Sequence, residues 1–253
     1  MPFFSADLHI HTCLSPCADL EMLPELIVRR ARELGLQMIA VTDHNSAENA
    51  ASVISAAQGS GITVFSGMEV QTREEVHVIT LFDTLEQALA WQEQVYAALP
   101  SLENKESVFG EQLVLDSEGK PAGYLERLLV TSTSFSVEDA ARRVAELGGL
   151  FIPAHVDRPV FSIIAALGFI PANLKLDGVE ISHNTNPVAA RERFPQLEQY
   201  SLVGSSDAHR LKDMRRRTTL KMEAPTIQEI ALALRGEEER GVWVDGHESV
   251  KRC

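Results

Sequence analysis

Cysteine is scarce in this chain of 253 residues, which contains only Cys13, Cys17 and Cys253. An odd number of cysteines without regular spacing argues against a secreted scaffold held together by disulfide bonds. The scarcity of thiols also argues against an iron–sulfur centre, which needs several cysteine ligands.

Basic side chains are fewer than acidic ones, 23 against 36, so the formal net charge at pH 7 is −13. This charge opposes long-range attraction to nucleic acids and to anionic membranes. A small anionic substrate is still compatible, because bound metal ions reverse the sign of the field inside a pocket. We therefore expect no long nucleic acid as a partner.

Long apolar runs are missing as well, so no membrane partner is expected. The first residues lack the basic region and apolar run of a signal peptide, and a cytoplasmic location is the expectation. Hydrophobic residues make up 45% and charged residues 23%, which is ordinary for a globular chain. The length suits one large α/β domain or two small ones.

Short apolar strand patterns alternate with amphipathic helix patterns along the chain. This order predicts an α/β fold, either a barrel or an open doubly wound sheet, and the two-sided apolar strands indicate a parallel sheet. The predicted strands are 6–11, 37–42, 63–70, 75–82, 150–155, 178–182, 201–205 and 218–222, and the predicted helices are 23–34, 47–58, 85–98, 136–147, 160–167, 187–193 and 227–234.

Residues 100–130 break this alternation and are rich in turn residues, so we interpret them as an inserted hairpin or lid. Whether the insert serves function or is a peripheral decoration stays open. The predicted domain spans residues 1–236, and residues 237–253 are predicted to form a C-terminal extension on the surface. The basic run at residues 215–217 is expected to be a solvated face.

Histidines collect at the ends of the predicted strands. His9 and His11 are two residues apart on a strand, so their side chains project to the same side. Seven of the eight histidines lie inside or just after a strand: His9, His11, His44, His77, His155, His183 and His209. Together with Glu69 and Asp207 they form a nitrogen and oxygen ligand set that suits Zn, Mn or Fe.

Five segments, in this order, resemble the motifs of the PHP (polymerase and histidinol phosphatase) family. The resemblance implies a distorted (β/α)7 barrel of the PHP type, a centre of two or three divalent metal ions, and phosphoester hydrolysis. The matching segments are residues 7–12, residues 42–45, Glu69, residues 153–155 and residues 206–209.

The resemblance also assigns ligands. It gives His9, His11, Glu69 and Asp207 to one metal, and Glu69, His77 and His155 to a second, so that Glu69 bridges. A third metal would take His44, His209 and a residue from the loop after the first strand. Better-known phosphatases of the family often have a histidine where this chain has Cys17, and either Cys17 or Asp19 is a candidate there. Glu69, Asp207 and His209 are the candidates for catalytic roles.

The metals of such a centre lower the pKa of bound water, so a bridging hydroxide is the expected nucleophile. Guanidinium groups suit phosphate, which makes Arg158 and Arg210 candidates for substrate binding together with His183. Asp7 and Asp43 are expected to accept hydrogen bonds from ligand imidazoles.

The leading hypothesis is therefore a metal-dependent phosphoesterase acting on a small phosphomonoester of the nucleotide or sugar type. One alternative is a nuclease for short oligonucleotides. Another is a module that binds metal or senses nucleotides without catalysis. The oligomeric state and the native metal stay open.

Overall fold

Eight strands form one mixed sheet that curls into about half a barrel in the computed structural model, which describes residues 1–250. Two further strands form a parallel pair, and two more form a hairpin in the insert. The strands are β1 (Phe3–Ile10), β2 (Met38–Val41), β3 (Thr63–Gln71), β4 (His77–Phe82), β5 (Leu113–Leu115), β6 (Pro121–Tyr124), β7 (Leu150–Pro153), β8 (Gly178–Ile181), β9 (Ser201–Gly204), β10 (Thr218–Lys221), β11 (Gly241–Val244) and β12 (His247–Glu248).

The large sheet has the order β12-β11-β10-β1-β2-β3-β4-β7. The separate pair β8–β9 contacts β7 on one side and β11 on the other, so it lies in the gap of the curled sheet. The predicted distorted (β/α)7 barrel is confirmed.

The sequence predicted a parallel sheet, and this prediction was wrong for part of the sheet. Strands β1, β2 and β3 are parallel neighbours, but β4 runs antiparallel to both β3 and β7. The cause is the short connection after β3, where the Thr72 amide donates to the carbonyl of Val76. A connection of that length permits only antiparallel pairing. His77, the first residue of β4, therefore lies at the edge where β3 and β7 end.

The helices flank this sheet, and side-chain caps fix several of their first residues. Ser136 and Thr226 cap two of the predicted helices, and Thr84 forms a capping box with Gln87. The helix predicted from residue 160 begins later, because Ser162 caps it by accepting from the Ala165 amide. The helices are α1 (Pro24–Glu33), α2 (Ala50–Ala56), α3 (Leu85–Ala98), α4 (Glu106–Phe109), α5 (Val137–Glu146), α6 (Ile163–Leu167), α7 (Pro187–Arg193) and α8 (Ile227–Arg235), with 3-10 turns at Pro195–Gln199 and Leu211–Asp213. Within residues 1–250, none of these helices combines the length and the apolar character that crossing a membrane needs.

The segment after residue 237 is more than the expected surface extension. Strand β11 pairs with β10 along its whole length, and its Val242 and Val244 are fully buried in the core. Arg217, from the basic run expected to be solvated, is also buried and forms an ion pair of 2.7 Å with Asp245. Burial of two valines gives this strand a packing role.

The insert contains α4 and the hairpin β5–β6, which agrees with the hairpin interpretation. Asn49, just before α2, fastens the hairpin to the barrel by donating to the carbonyl of Leu113 and accepting from the amide of Leu115. Asn45 likewise donates to the carbonyls of Leu129 and Thr131 at the end of the insert. These amides hold the insert beside the strand ends that carry the histidines.

Candidate metal centre

Five imidazoles surround the buried carboxylate of Glu69 in β3. Burial raises the pKa of Glu69, but the adjacent histidines outweigh that effect and hold the pKa well below its usual range. The carboxylate is therefore ionised at neutral pH. Its Oε1 lies 2.9 Å from His77 Nδ1, 3.1 Å from His155 Nε2 and 3.4 Å from His9 Nε2, and its Oε2 lies 3.0 Å from His44 Nδ1 and 3.5 Å from His11 Nε2.

One cluster combines His9, His11, Glu69 and Asp207, the set that the resemblance gives to the first metal. The Nε2 atoms of His9 and His11 are 3.2 Å apart, and they lie 3.3 and 3.2 Å from Asp207 Oδ1. Ligand atoms that surround a tetrahedral ion at usual bond lengths are roughly 3.3 Å apart. The spacing of these protein atoms thus fits a divalent ion.

A second cluster contains Glu69, His77 and His44. His155 approaches the same carboxylate, and its Nδ1 is buried with no hydrogen-bond partner among residues 1–250. A buried ring nitrogen without a partner is costly, so protein groups alone do not satisfy this imidazole. The resemblance gives Glu69, His77 and His155 to the second metal, and the structure places all three together.

A third cluster contains His11, His44 and His209. The Sγ of Cys17 lies 3.1 Å from His209 Nε2. Burial opposes ionisation of this thiol, but the neighbouring His44 and His209 lower its pKa to about 6. Asp19, the other candidate in this loop, instead forms an ion pair of 3.2 Å with Arg210 on the surface.

Strained backbone helps to place several of these side chains. His155, Asp207 and Asn45 have φ angles of 30°, 52° and 49°, values that non-glycine residues rarely adopt. Each such residue costs about 1–3 kcal/mol, and such conformations cluster at functional sites. The bridges between His44 and Glu69 and between Ile10 and Ala208 hold the neighbouring strand ends together.

Glu180 is a part of the site that the sequence analysis missed. This buried acid of β8 lies 3.1 Å from His9 Nδ1 and accepts from the backbone amide of His155 at 3.0 Å. The signal was present, because an acid stands between Val179 and Ile181 in an otherwise apolar strand. A buried acid in such a strand needs partners, and here the partners are groups of the site.

The roles expected for Asp7 and Asp43 were wrong. Asp43 accepts from the Thr12 amide and from the hydroxyl of Ser15, and the Ser15 hydroxyl lies 2.9 Å from His11 Nδ1. Asp43 thus reaches the imidazole only through Ser15. Asp7 accepts from the backbone amides of Ser206 and Arg215 instead, since its carboxylate is directed to the loop after β9.

A cavity of about 150 Å³ opens onto this centre. Arg158 lines it and forms an ion pair of 2.7 Å with Asp207 Oδ2. Arg210 is half exposed beside Asp19, and His183 is exposed in the turn after β8. Of the three predicted substrate contacts, the structure brings Arg158 to the cavity wall, which is lined by His44, Glu69, His77, His155, Arg158, Val160, Phe161, Asp207 and His209.

Comparison with known proteins adds a family match. A family model described as PHP domain matches residues 7–155, more than half of the chain. An uncharacterised protein of Bacillus subtilis, YqxK, is 24% identical over 94% of this chain and 63% of its own length. The chain therefore spans less than two thirds of that relative.

Two solved structures share the fold. The lesion-specific endonuclease PfuEndoQ of Pyrococcus furiosus superposes with a TM-score of 0.65 and 20% identity, over 95% of this chain and 58% of that one. A protein of Bifidobacterium adolescentis, provisionally described as a metal-dependent phosphoesterase, gives a TM-score of 0.55 and 20% identity, over 81% and 87%. At identities this low, the superpositions show a common architecture only.

Proposed function

The chain belongs to the PHP domain family, and from that premise we propose that it is a metal-dependent phosphoesterase that hydrolyses a small phosphomonoester of the nucleotide or sugar type. The observation that carries the proposal is the position of Glu69. It belongs to both the first and the second cluster, its two oxygens together face five imidazoles, and it lines the cavity. A carboxylate in this position suits a bridge between two divalent ions.

The side chains of the first cluster are suited to an ion such as Zn, Mn or Fe, which accept nitrogen and oxygen ligands. Bound there, the ions would supply polarisation of the phosphoryl oxygens and a lowered pKa for water. The chain itself would orient the ester. Arg158 holds Asp207 with one nitrogen and keeps other N–H donors for the phosphoryl oxygens, because a guanidinium carries five.

The cavity size favours a small reacting group. At about 150 Å³ it is below the 300–1,000 Å³ typical of sites for drug-sized ligands, so it has room for a phosphoryl group and its immediate substituent. The net charge of −13 also disfavours a long polyanion, whose binding depends on phosphate neutralisation.

The shared architecture with an endonuclease makes cleavage of an oligonucleotide the competing outcome. The deciding experiment depletes the protein of metal, reloads it with Mn, Zn or Fe, and compares rates on four substrates. These are a nucleoside 3′,5′-bisphosphate, histidinol phosphate, a sugar phosphate and a single strand of ten nucleotides.

Hydrolysis of one of the monoesters at the highest rate supports the proposal. Faster cleavage of the strand would overturn it in favour of a nuclease. No hydrolysis of any phosphoester with any of the three metals would leave a metal-holding module without catalysis, which also overturns it.

A further inference from the structure

Phe161 packs against a candidate metal ligand while much of its surface stays exposed. Its ring stacks on the His77 imidazole with centroids 4.7 Å apart and planes 16° apart. Its carbonyl accepts from the His77 amide, and 43% of the residue is exposed. An exposed phenylalanine alone needs no explanation, but one stacked on a site residue does.

The backbone at this position is also unusual. Phe161 has a φ of 56°, a conformation that a bulky non-glycine residue rarely adopts. The next residue, Ser162, begins α6 as its cap, so the ring is presented from a short strained turn in front of a helix. Conformations of this kind cluster at active sites and ligand clamps.

Phe161 joins two cavities. It lines the cavity of about 150 Å³ above the candidate metal ligands and a neighbouring cavity of about 410 Å³, and both also include His44 and His77. A substrate whose phosphoryl group lies in the first cavity therefore has room to extend along the Phe161 ring into the second.

The wall of the second cavity is suited to a polar ring. Gln71, Thr131 and Ser132 line it, and all three are partly exposed. The Gln71 side-chain amide makes none of the hydrogen bonds found among residues 1–250, so its donor and its acceptor are both available to a ligand. An amide offers the paired donor and acceptor that the edge of a heterocycle requires.

We propose that Phe161 is a stacking platform for a planar nitrogen heterocycle, a nucleobase, carried by the phosphoester that the metal centre hydrolyses. The inference rests on the proposed function and narrows its substrate from a nucleotide or sugar phosphate to a nucleotide. A base has a π-face to stack on Phe161 and polar edges for Gln71, whereas a sugar phosphate has no such face.

The test uses the metal-loaded full chain and three variants. Phe161→Asn removes the ring and suits the left-handed backbone, because asparagine tolerates positive φ. Phe161→Tyr keeps the ring. Phe169→Asn is the matched control, since Phe169 is another exposed phenylalanine and lies outside the residues that line the two cavities. Metal content is measured for each protein, so that a loss of ions is not mistaken for a loss of stacking.

The first readout is calorimetric binding of adenosine, with ribose as the comparison, which requires no hydrolysis. We expect adenosine to bind more tightly than ribose, and Phe161→Asn to weaken adenosine binding by roughly tenfold or more. Phe161→Tyr and Phe169→Asn are expected to retain adenosine binding. Equal affinity for adenosine in the wild type and in Phe161→Asn would overturn the inference.

The second readout is kcat/KM for a nucleoside 3′,5′-bisphosphate and for ribose 5-phosphate. Phe161→Asn is expected to lower the first through KM, and by a much larger factor than it lowers the second. An equal fall for both substrates would contradict a stacking role. Failure of the proposed function would give a different result. The wild type would then hydrolyse neither phosphate, and this outcome does not depend on whether adenosine binds.

Discussion

Glu180 Oε2 lies within hydrogen-bond distance of His9 Nδ1, at 3.1 Å, although the two residues are 171 positions apart in the chain. A carboxylate oxygen is an acceptor, so a His9 ring that donates from Nδ1 leaves Nε2 for a metal ion. Nε2 lies 3.3 Å from Asp207 Oδ1 and 3.4 Å from Glu69 Oε1. Partners of this kind orient metal-binding histidines and raise their basicity.

The first prediction concerns a variant in which the Glu180 carboxylate is replaced by an amide. Glu180→Gln keeps the size of the side chain but gives His9 a weaker acceptor, so we expect metal to bind about 10- to 100-fold more weakly. Competition with a chromophoric chelator measures the affinity. Glu86→Gln, an exposed acid in the first turn of α3, serves as the control. Equal affinity in Glu180→Gln and the control would show that Glu180 does not support the ligand.

The second prediction concerns Glu69 itself. Glu69→Gln removes the carboxylate that faces five imidazoles, and we expect loss of at least one ion per chain. The fall in phosphoester hydrolysis should exceed the roughly 10- to 100-fold expected for an outer partner, because Glu69 belongs to two of the three clusters. Mass spectrometry measures the number of bound ions, and rate assays on the same preparation measure phosphoester hydrolysis. Glu118→Gln, in the exposed hairpin turn, is expected to change neither, and unchanged stoichiometry in Glu69→Gln would refute the bridge.

The third prediction tests whether the C-terminal strand is part of the barrel. Val244 is fully buried, and one of its methyl groups lies so close to Gly204 of β9 that a Cβ there would be 2.5 Å away. Val244→Ala deletes two methyl groups and should reduce the free energy of unfolding by about 2 kcal/mol.

Urea unfolding at constant m-value measures this loss. Val108→Ala provides the comparison, because Val108 is 67% exposed in the insert, and a change within about 0.5 kcal/mol is expected there. Equal stability of the two variants would mean that β11 adds little to the fold.

The sequence predicted that these histidines would lie close together, because their positions depend on a local rule. Residues at the carboxyl ends of barrel strands meet at one face, and His9, His155 and Asp207 obey it. His77 is the instructive case, since it stands at the start of its strand. It reaches the same edge only because β4 runs antiparallel to its neighbours, which the apolar pattern of the strand does not encode.

The supporting contacts were harder to predict, because they depend on register between distant strands. Nothing near His9 in the chain indicates Glu180, and nothing near His11 shows that Ser15 stands between it and Asp43. Strand β11 was missed for a different reason. It has four residues and directly follows the charged segment 237–240, so its burial is decided by pairing with β10.

The fourth prediction decides between Cys17 and Asp19 in the third cluster. The thiol of Cys17 lies 3.1 Å from His209 Nε2, while Asp19 is paired with Arg210 at the surface. A thiolate is a strong ligand for a divalent ion, and the neighbouring His44 and His209 favour the thiolate by lowering the pKa of Cys17 to about 6. We expect protein loaded with Co²⁺ to show sulfur-to-cobalt charge-transfer absorption in the near ultraviolet.

Cys17→Ser should abolish this absorption and reduce the number of bound ions, whereas Asp19→Asn should leave both unchanged. Burial raises the pKa of Cys13 to about 12, so that thiol stays protonated and is a poor ligand. Cys253 lies outside the described residues, and Cys253→Ser controls for its contribution. Absorption that survives in Cys17→Ser, or a lost ion in Asp19→Asn alone, would transfer the ligand role away from Cys17. Because sulfur favours softer ions than carboxylate does, the outcome also indicates whether the third position selects Zn or a harder ion such as Mn.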